Sequence, residues 1–162
     1  MGGMTAALAP RRRRLRPGAA LLALVALAGC GAREHVVAAA CRMPGGKPVE
    51  RALARAPGPV ALQDGTKLSE CVAEAVNDAQ LQAVGAAFTT AAAHMSPAAR
   101  RDPAVAERVG YLVGAVERGS ARTAGFQAEL LFRMRAFVDP GRLGREQRAA
   151  AERGRVAGLA RG

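Results

Sequence analysis

Residues 102–120, DPAVAERVGYLVGAVERGS, decide the fold. Asp102 and Pro103 form a helix-start signal, because a carboxylate can accept a hydrogen bond from a free backbone amide and proline fits the first helical turn. The large apolar residues that follow recur at the three- and four-residue spacing of one helix face; they are Val105, Val109, Leu112, Val113 and Val116. The stretch therefore predicts an amphipathic helix that ends near Gly119.

Two glycines inside this helix expose its backbone. Gly110 and Gly114 are four residues apart and so share one helix face. Because glycine inside a helix costs up to about 1 kcal/mol relative to alanine, the pair indicates a close contact. The contact is either an intramolecular helix crossing or a groove for a ligand or partner. In the second case the surface also includes Tyr111, at the rim of the core, and the basic pair Arg118 and Arg122.

Helical periodicity continues on both sides of this segment. Before it, an apolar stripe runs from Leu68 to Met95 and stops near the proline-containing break at residues 96–103. After it, a third helix carries Phe126, Leu130, Met134 and Phe137 and ends at residues 139–141, Asp-Pro-Gly. A fourth segment, residues 142–159, has few bulky apolar residues, so we expect a helix that is loosely held or frayed.

The fold class follows from this pattern. Strand-like alternation is missing from the sequence, so we predict an all-α fold, a small bundle of three to four helices over residues 64–162. Residues 30–63 contain four prolines and several glycines with weak periodicity, which is typical of a flexible tether, with a short helix near residues 50–55. Residues 1–29 have a different composition again.

Those first 29 residues have the layout of a secretory signal peptide. Five arginines within residues 11–16 precede an apolar run at residues 18–29, and the segment contains no acid. The run is shorter than the roughly 20 apolar residues that a spanning helix needs. We therefore expect residues 1–29 to direct export, and the arginine pattern leaves open whether the general secretory route or the twin-arginine route is used.

The end of the leader, Leu27-Ala28-Gly29-Cys30, resembles the lipobox of bacterial lipoproteins at all four positions. In that family the cysteine sulfur receives a diacylglycerol, the leader is cleaved before the cysteine, and a further acyl chain such as palmitate is added. The resemblance implies that Cys30 is the lipidated first residue of the mature chain. Two acyl chains give stable anchoring, so it also implies attachment to the outer face of the cytoplasmic membrane.

Cysteine usage is consistent with export. With Cys30 lipidated, Cys41 and Cys71 remain as an even pair in an oxidising compartment, and we predict a disulfide between them. Closing a loop of that length stabilises a fold by about 3 to 4 kcal/mol in the chain-entropy model. Metal-ligand spacings such as Cys-x-x-Cys are missing from the sequence, so we predict no metal and no cofactor.

Charge and composition leave the function open. The chain carries a formal charge of +11, with 22 arginines and two lysines, a bias that is typical of a GC-rich genome. Residues 110–130 resemble segments of uncharacterised secreted proteins from actinobacteria, which implies no activity. Recognisable catalytic motifs are missing from the sequence, so we expect a non-enzymatic binding or scaffolding module whose partner is an unknown envelope protein. The alternatives are a small-ligand carrier at Gly110 and Gly114, and a binder of anionic polymers through residues 142–161; nucleic acid is the less favoured partner.

Overall fold

The computed structural model describes residues 36–123 and 127–162, and these residues form helices without a β-strand. The all-α prediction is confirmed. The helices are α1 (Lys47–Leu53), α2 (Leu68–Ala73), α3 (Asp78–Ala99), α4 (Pro103–Ser120), α5 (Ala128–Arg135) and α6 (Arg145–Arg161), and short 3-10 helices span Ala39–Arg42 and Ala136–Val138. The predicted leader, Cys30 and Phe126 lie outside the described residues.

Helix α4 is the central element of the bundle. It begins as predicted, with Pro103 in its first turn and with the Asp102 carboxylate accepting a hydrogen bond from the Ala104 amide at 2.8 Å. Every residue from 109 to 116 is buried, because the other five helices all contact α4. The helix is therefore covered on all sides, which is what an uncharged run of this length requires.

The predicted helix from Leu68 to Met95 is two helices. α2 ends at Ala73, and α3 begins at Asp78, where the Asn77 side chain accepts a hydrogen bond from the Gln80 amide at 2.9 Å. Helix α3 then continues through Pro97 to Ala99, past the break that the sequence predicts. Pro97 has no N–H to donate to the carbonyl of Ala93, so it removes one backbone hydrogen bond, and α3 ends two residues later.

The prediction of a flexible tether over residues 30–63 is wrong for residues 36–63. This segment contributes seven buried side chains to the main core, namely Val37, Cys41, Val49, Ala52, Leu53, Val60 and Leu62. Its prolines and glycines serve the packing: Pro48 lies in the first turn of α1, and Gly46, with a φ of +66°, lies against Ala87 and Ala91 of α3. A Cβ at Gly46 would lie 2.8 Å from the Ala91 nitrogen, so only glycine fits there.

The predicted disulfide is confirmed. Cys41 of the first 3-10 helix is bonded to Cys71 of α2, with 5.5 Å between the two Cα atoms, and both residues are buried. The bond joins the segment before α1 to the bundle. The described residues form one compact unit.

Candidate functional site

The glycine face of α4 is occupied by α6. A Cβ added at Gly110 would overlap the carbonyl group of Ala151, and one at Gly114 would lie 2.7 Å from the Leu159 nitrogen. The contact is reciprocal: a Cβ at Gly154 would lie 2.9 Å from the Tyr111 nitrogen, and one at Gly158 the same distance from the Ala115 nitrogen. Residues later in α4 contact residues later in α6, so the two helices run parallel, and their backbone atoms are in contact.

This contact decides between the two interpretations of Gly110 and Gly114. The pair is an intramolecular helix crossing, and the possible ligand or partner surface around it is already filled by α6. The prediction of a loosely held C-terminal helix is wrong for the same reason, because Gly154 and Gly158 let its backbone reach α4 without bulky side chains. Small residues four apart allow such close approach between helices.

Tyr111 is fully buried and does not lie at the rim of the core. Its hydroxyl has no hydrogen-bond partner within the described residues. Burial raises the pKa of this hydroxyl, and the nearby backbone of Val60 and the charges of Arg161 and Arg118 oppose that rise only in part. The side chain therefore acts as a core residue that must stay uncharged.

We expect alkaline pH to destabilise the fold through Tyr111. In the unfolded chain this hydroxyl ionises near its ordinary value of 10.0, whereas the folded chain holds the proton to higher pH. The destabilisation by Tyr111 is therefore absent below pH 10, and the free energy of unfolding falls as pH rises above 10. Tyr111 is the only tyrosine and the chain has no tryptophan, so ultraviolet absorbance reports this residue directly. Tyrosinate formation at or below pH 10 in a chain that circular dichroism shows still folded would contradict the prediction.

Arg118 and Arg122 do not form a common site. The Arg118 guanidinium donates hydrogen bonds to the carbonyl oxygens of Leu159 at 3.0 Å and Ala160 at 2.7 Å. These carbonyls belong to the last turn of α6, where helical hydrogen bonds run out and positive charge is favoured. Arg122 lies exposed in the turn after α4. Arg118 therefore closes the end of the α4–α6 contact, and Arg122 does not take part.

Replacement of Arg118 by glutamine should lower the free energy of unfolding by about 1 kcal/mol, since two charge-assisted hydrogen bonds to partly exposed carbonyls are lost. Arg122→Gln is the matched control, because it removes the same charge from the neighbouring turn. It should change stability by less than about 0.5 kcal/mol. Chemical denaturation of both variants measures the difference, and equal effects would mean that Arg118 does not hold α6.

A charged cluster that the sequence analysis missed lies beside this contact. Arg155 of α6 pairs with Glu117 of α4 and with Glu152, each at 2.8 Å, and Arg135 of α5 lies 3.3 Å from Glu117. The hydrogen bond from Arg155 holds the pKa of Glu152 below its ordinary value. The stabilisation from this pair is present at neutral pH and is lost as pH falls through that lowered value. Glu117 and Arg155 are far apart in sequence, so no local spacing identifies them.

The basic strip at residues 142–161 is largely engaged within the fold. Arg148 and Arg161 donate hydrogen bonds to the carbonyl oxygens of Pro140 and Pro57, at 3.1 and 2.7 Å. Arg153 lies 3.8 Å from Glu107, and Arg155 is held by its two carboxylates. These side chains stabilise α6 against its neighbours, so the arginines do not form a free cationic face.

The described surface also carries depressions. A broad open groove of about 810 Å3 runs along α6, and its lining includes Pro57, Glu107, Val156 and Ala160. Val156 is 54% exposed at this groove. A smaller pocket of about 150 Å3 lies between α1 and residues 61–63. The wide groove has the shape of a contact surface, whereas the small pocket has room only for a compact chemical group.

Within the described residues, histidine, cysteine and carboxylate side chains do not gather in groups of three that could hold a metal ion. Among the described helices, none combines the length and apolar character needed to cross a bilayer.

The chain has no significant match to any protein-family model, characterised protein or solved structure.

Proposed function

We propose that this protein is an exported bacterial lipoprotein, attached through acylated Cys30 to the outer face of the cytoplasmic membrane. The observation that carries the proposal is the buried Cys41–Cys71 disulfide, together with the lipobox-like residues that end the apolar leader. Disulfides of this kind persist mainly in oxidising compartments. The same chain therefore carries an export signal and a domain suited to the compartment to which export leads.

We infer that the domain serves as a non-catalytic binding or scaffolding module of the envelope. Its central charged and polar groups have structural tasks: Arg118 caps α6, and Arg155 links Glu117 to Glu152. The open groove along α6 supports a role in contact with another macromolecule more than a role in enclosing a small molecule.

The two alternatives receive less support. A carrier with a cleft at Gly110 and Gly114 would need the space that α6 occupies. A binder of anionic polymers would need free arginines on α6, and Arg153, Arg155 and Arg161 are held by contacts within the domain. We therefore favour the anchored scaffolding module.

Fractionation of the native cells tests the anchoring. The wild-type chain should sediment with membranes and be released by detergent, whereas Cys30→Ala should not be lipidated and should lose that behaviour. Crosslinking on intact cells, run with both forms, then identifies the neighbour. A neighbour captured only by the anchored form supports the scaffolding role; identical fractionation of the two forms would refute the lipid anchor.

A further inference from the structure

The small pocket beside α1 brings two arginines together. Its lining includes Arg51, Arg55 and Gln63. The remaining lining residues are apolar: Pro48, Ala52, Ala61 and Leu62. Arg51 and Arg55 are about one helical turn apart, so their positive charges repel each other unless an anion lies between them. The pocket lining therefore combines two basic side chains with several apolar ones.

Carboxylates do not neutralise this pair. The pocket lining contains no acid, and neither arginine forms an ion pair or hydrogen bond through its side chain with the described residues. Glu50 is next in sequence to Arg51, but its carboxylate contacts His94 at 2.8 Å and Lys47 at 3.7 Å. Asp64 follows Gln63, and its carboxylate accepts a hydrogen bond from the Thr66 amide at 3.0 Å.

Several other arginines of the described residues have partners for their side chains. Arg133, Arg135, Arg153 and Arg155 each have a carboxylate partner, and Arg118, Arg148 and Arg161 each donate to backbone carbonyls. Six others have no such partner within the described residues, as is also the case for Arg51 and Arg55, and these six are Arg42, Arg100, Arg101, Arg108, Arg122 and Arg145. Arg51 and Arg55 differ from these six in lining one pocket together. The position of Arg51 and Arg55 at the end of α1 complements the helix dipole, which explains their charge but not their convergence on one pocket. Two guanidinium groups on one small pocket suit a phosphate group, to which arginine donates paired hydrogen bonds.

The length of chain before the domain indicates which phosphate is near. Five residues lie between Cys30 and Val36, and the six steps from one residue to the next cover at most about 3.6 Å each in an extended chain, or roughly 20 Å in all. The 3-10 helix Ala39–Arg42 follows at once and contacts α1, and α1 with its seven residues is only about 10 Å long. Anchoring at Cys30 therefore holds the start of the domain, which precedes α1 in the chain, within roughly 20 Å of the lipid headgroups.

The segment that contains α1 has a composition suited to a bilayer surface. Residues 36–63 carry four basic side chains and one acid. Val36 and Met43 in the same segment are 60% and 46% exposed. An anionic lipid surface attracts basic segments, and exposed apolar side chains can enter its interface.

We propose that the Arg51–Arg55 pocket binds the phosphate of an anionic lipid headgroup and holds the domain against the membrane that carries its anchor. The proposal rests on the anchoring of Cys30 for its choice of lipid as the phosphate source. The pocket of about 150 Å3 accommodates a headgroup phosphate, and the acyl chains of that lipid remain in the bilayer.

Binding to vesicles tests the pocket separately from the lipid anchor. The protein is residues 30–162 with Cys30→Ala, which contains the whole compact unit and lacks both leader and lipid. We expect it to bind vesicles of phosphatidylglycerol and phosphatidylcholine, and not vesicles of phosphatidylcholine alone. Arg51→Gln with Arg55→Gln should weaken that binding by roughly thirtyfold, since each arginine near an anionic surface contributes a factor of about five and the two factors multiply.

Two further variants separate a pocket from general surface charge. Arg101→Gln with Arg145→Gln removes the same charge from exposed sites and should weaken binding by less than about threefold, because neither residue lines the pocket. Arg51→Lys with Arg55→Lys keeps the charge but loses the paired hydrogen bonds, so it should still bind several-fold more weakly than the unsubstituted chain. Circular dichroism confirms that each variant is folded.

Several outcomes would overturn the proposal. Equal losses from the two glutamine pairs, or full binding by the lysine pair, would mean that only diffuse charge acts. Thermal stabilisation by inorganic phosphate without any preference for anionic vesicles would assign the pocket to a soluble phosphate compound, and lack of vesicle binding would exclude the site. Because this protein carries no lipid, failure of the anchor at Cys30 in cells leaves these results unchanged, and the two proposals fail independently.

Discussion

Replacing Gly154 by alanine should destabilise the domain by about 3 kcal/mol or more, the largest effect that we expect from a single added methyl group. The new Cβ would overlap the carbonyl group of Glu107 and lie 2.9 Å from the Tyr111 nitrogen. Backbone atoms of α4 cannot move aside as a flexible side chain could, so α6 has to separate from α4. Gly110→Ala should act similarly, because its Cβ would meet the backbone of Ala151.

Gly85→Ala is the matched control for this prediction. Gly85 also lies inside a helix, α3, but a Cβ there would meet only the Leu130 Cδ1 atom at 3.6 Å, an ordinary van der Waals distance. Alanine should therefore stabilise the chain by about 0.5 to 1 kcal/mol through its higher helix propensity. Chemical denaturation of the three variants measures these changes. If Gly154→Ala behaves as Gly85→Ala does, α6 does not pack on α4 as described.

Removing the disulfide should have an effect of similar size. The double substitution Cys41→Ala and Cys71→Ala opens a loop with a sequence separation of 30, which costs about 3 to 4 kcal/mol in the chain-entropy model. A small domain has a total stability of roughly 5 to 15 kcal/mol, so the loss is a large share. We expect the segment before α1 to detach first, because Cys41 covalently joins it to α2.

Cys30→Ala is the control for the disulfide, since it removes a cysteine that has no role in the predicted bond. In denaturation experiments on the unlipidated chain, this variant should keep the stability of the parent. Reductant should lower the stability of the parent to about that of the double variant and should not affect the double variant itself. A loss smaller than about 1 kcal/mol would mean that the segment is held by its apolar contacts alone.

The sequence predicted half of the α4–α6 contact correctly. Gly110 and Gly114 indicated a close helix crossing because glycine inside a helix needs a compensating contact. The partner was missed because α6 has few bulky apolar residues, and burial was expected to require them. Gly154 and Gly158 repeat the same four-residue spacing and were the signal that could have identified α6 as the partner.

The prediction of a flexible tether before α2 was wrong for a related reason. Its prolines and glycines are typical of a tether, and Val37, Val49 and Leu53 follow no single period. In the structure they are buried because the chain turns between them, and irregular segments bury residues without a periodic pattern. The pairing of Cys41 with Cys71 was the sequence feature that correctly placed this segment on the bundle.

Individual residues of the candidate site were predictable from the sequence, but their partners at distant positions in the chain were not. Arg118 was identified, but its partners, the carbonyls of Leu159 and Ala160, are 41 and 42 residues away. Arg51 and Arg55 were not identified at all, because their convergence on a pocket depends on where Leu62 and Gln63 return to α1. Spacing in sequence indicates which residues share a helix turn, whereas tertiary contacts decide which turns meet.

The most direct test of lipid anchoring is the intact mass of the protein isolated from its native membrane, measured with and without reductant. The account predicts a chain that begins at Cys30, carries acyl groups on that residue, and gains the mass of two hydrogen atoms on reduction of the Cys41–Cys71 bond. A chain that keeps residues 1–29 without fatty acid, or that contains free thiols at Cys41 and Cys71, would contradict it.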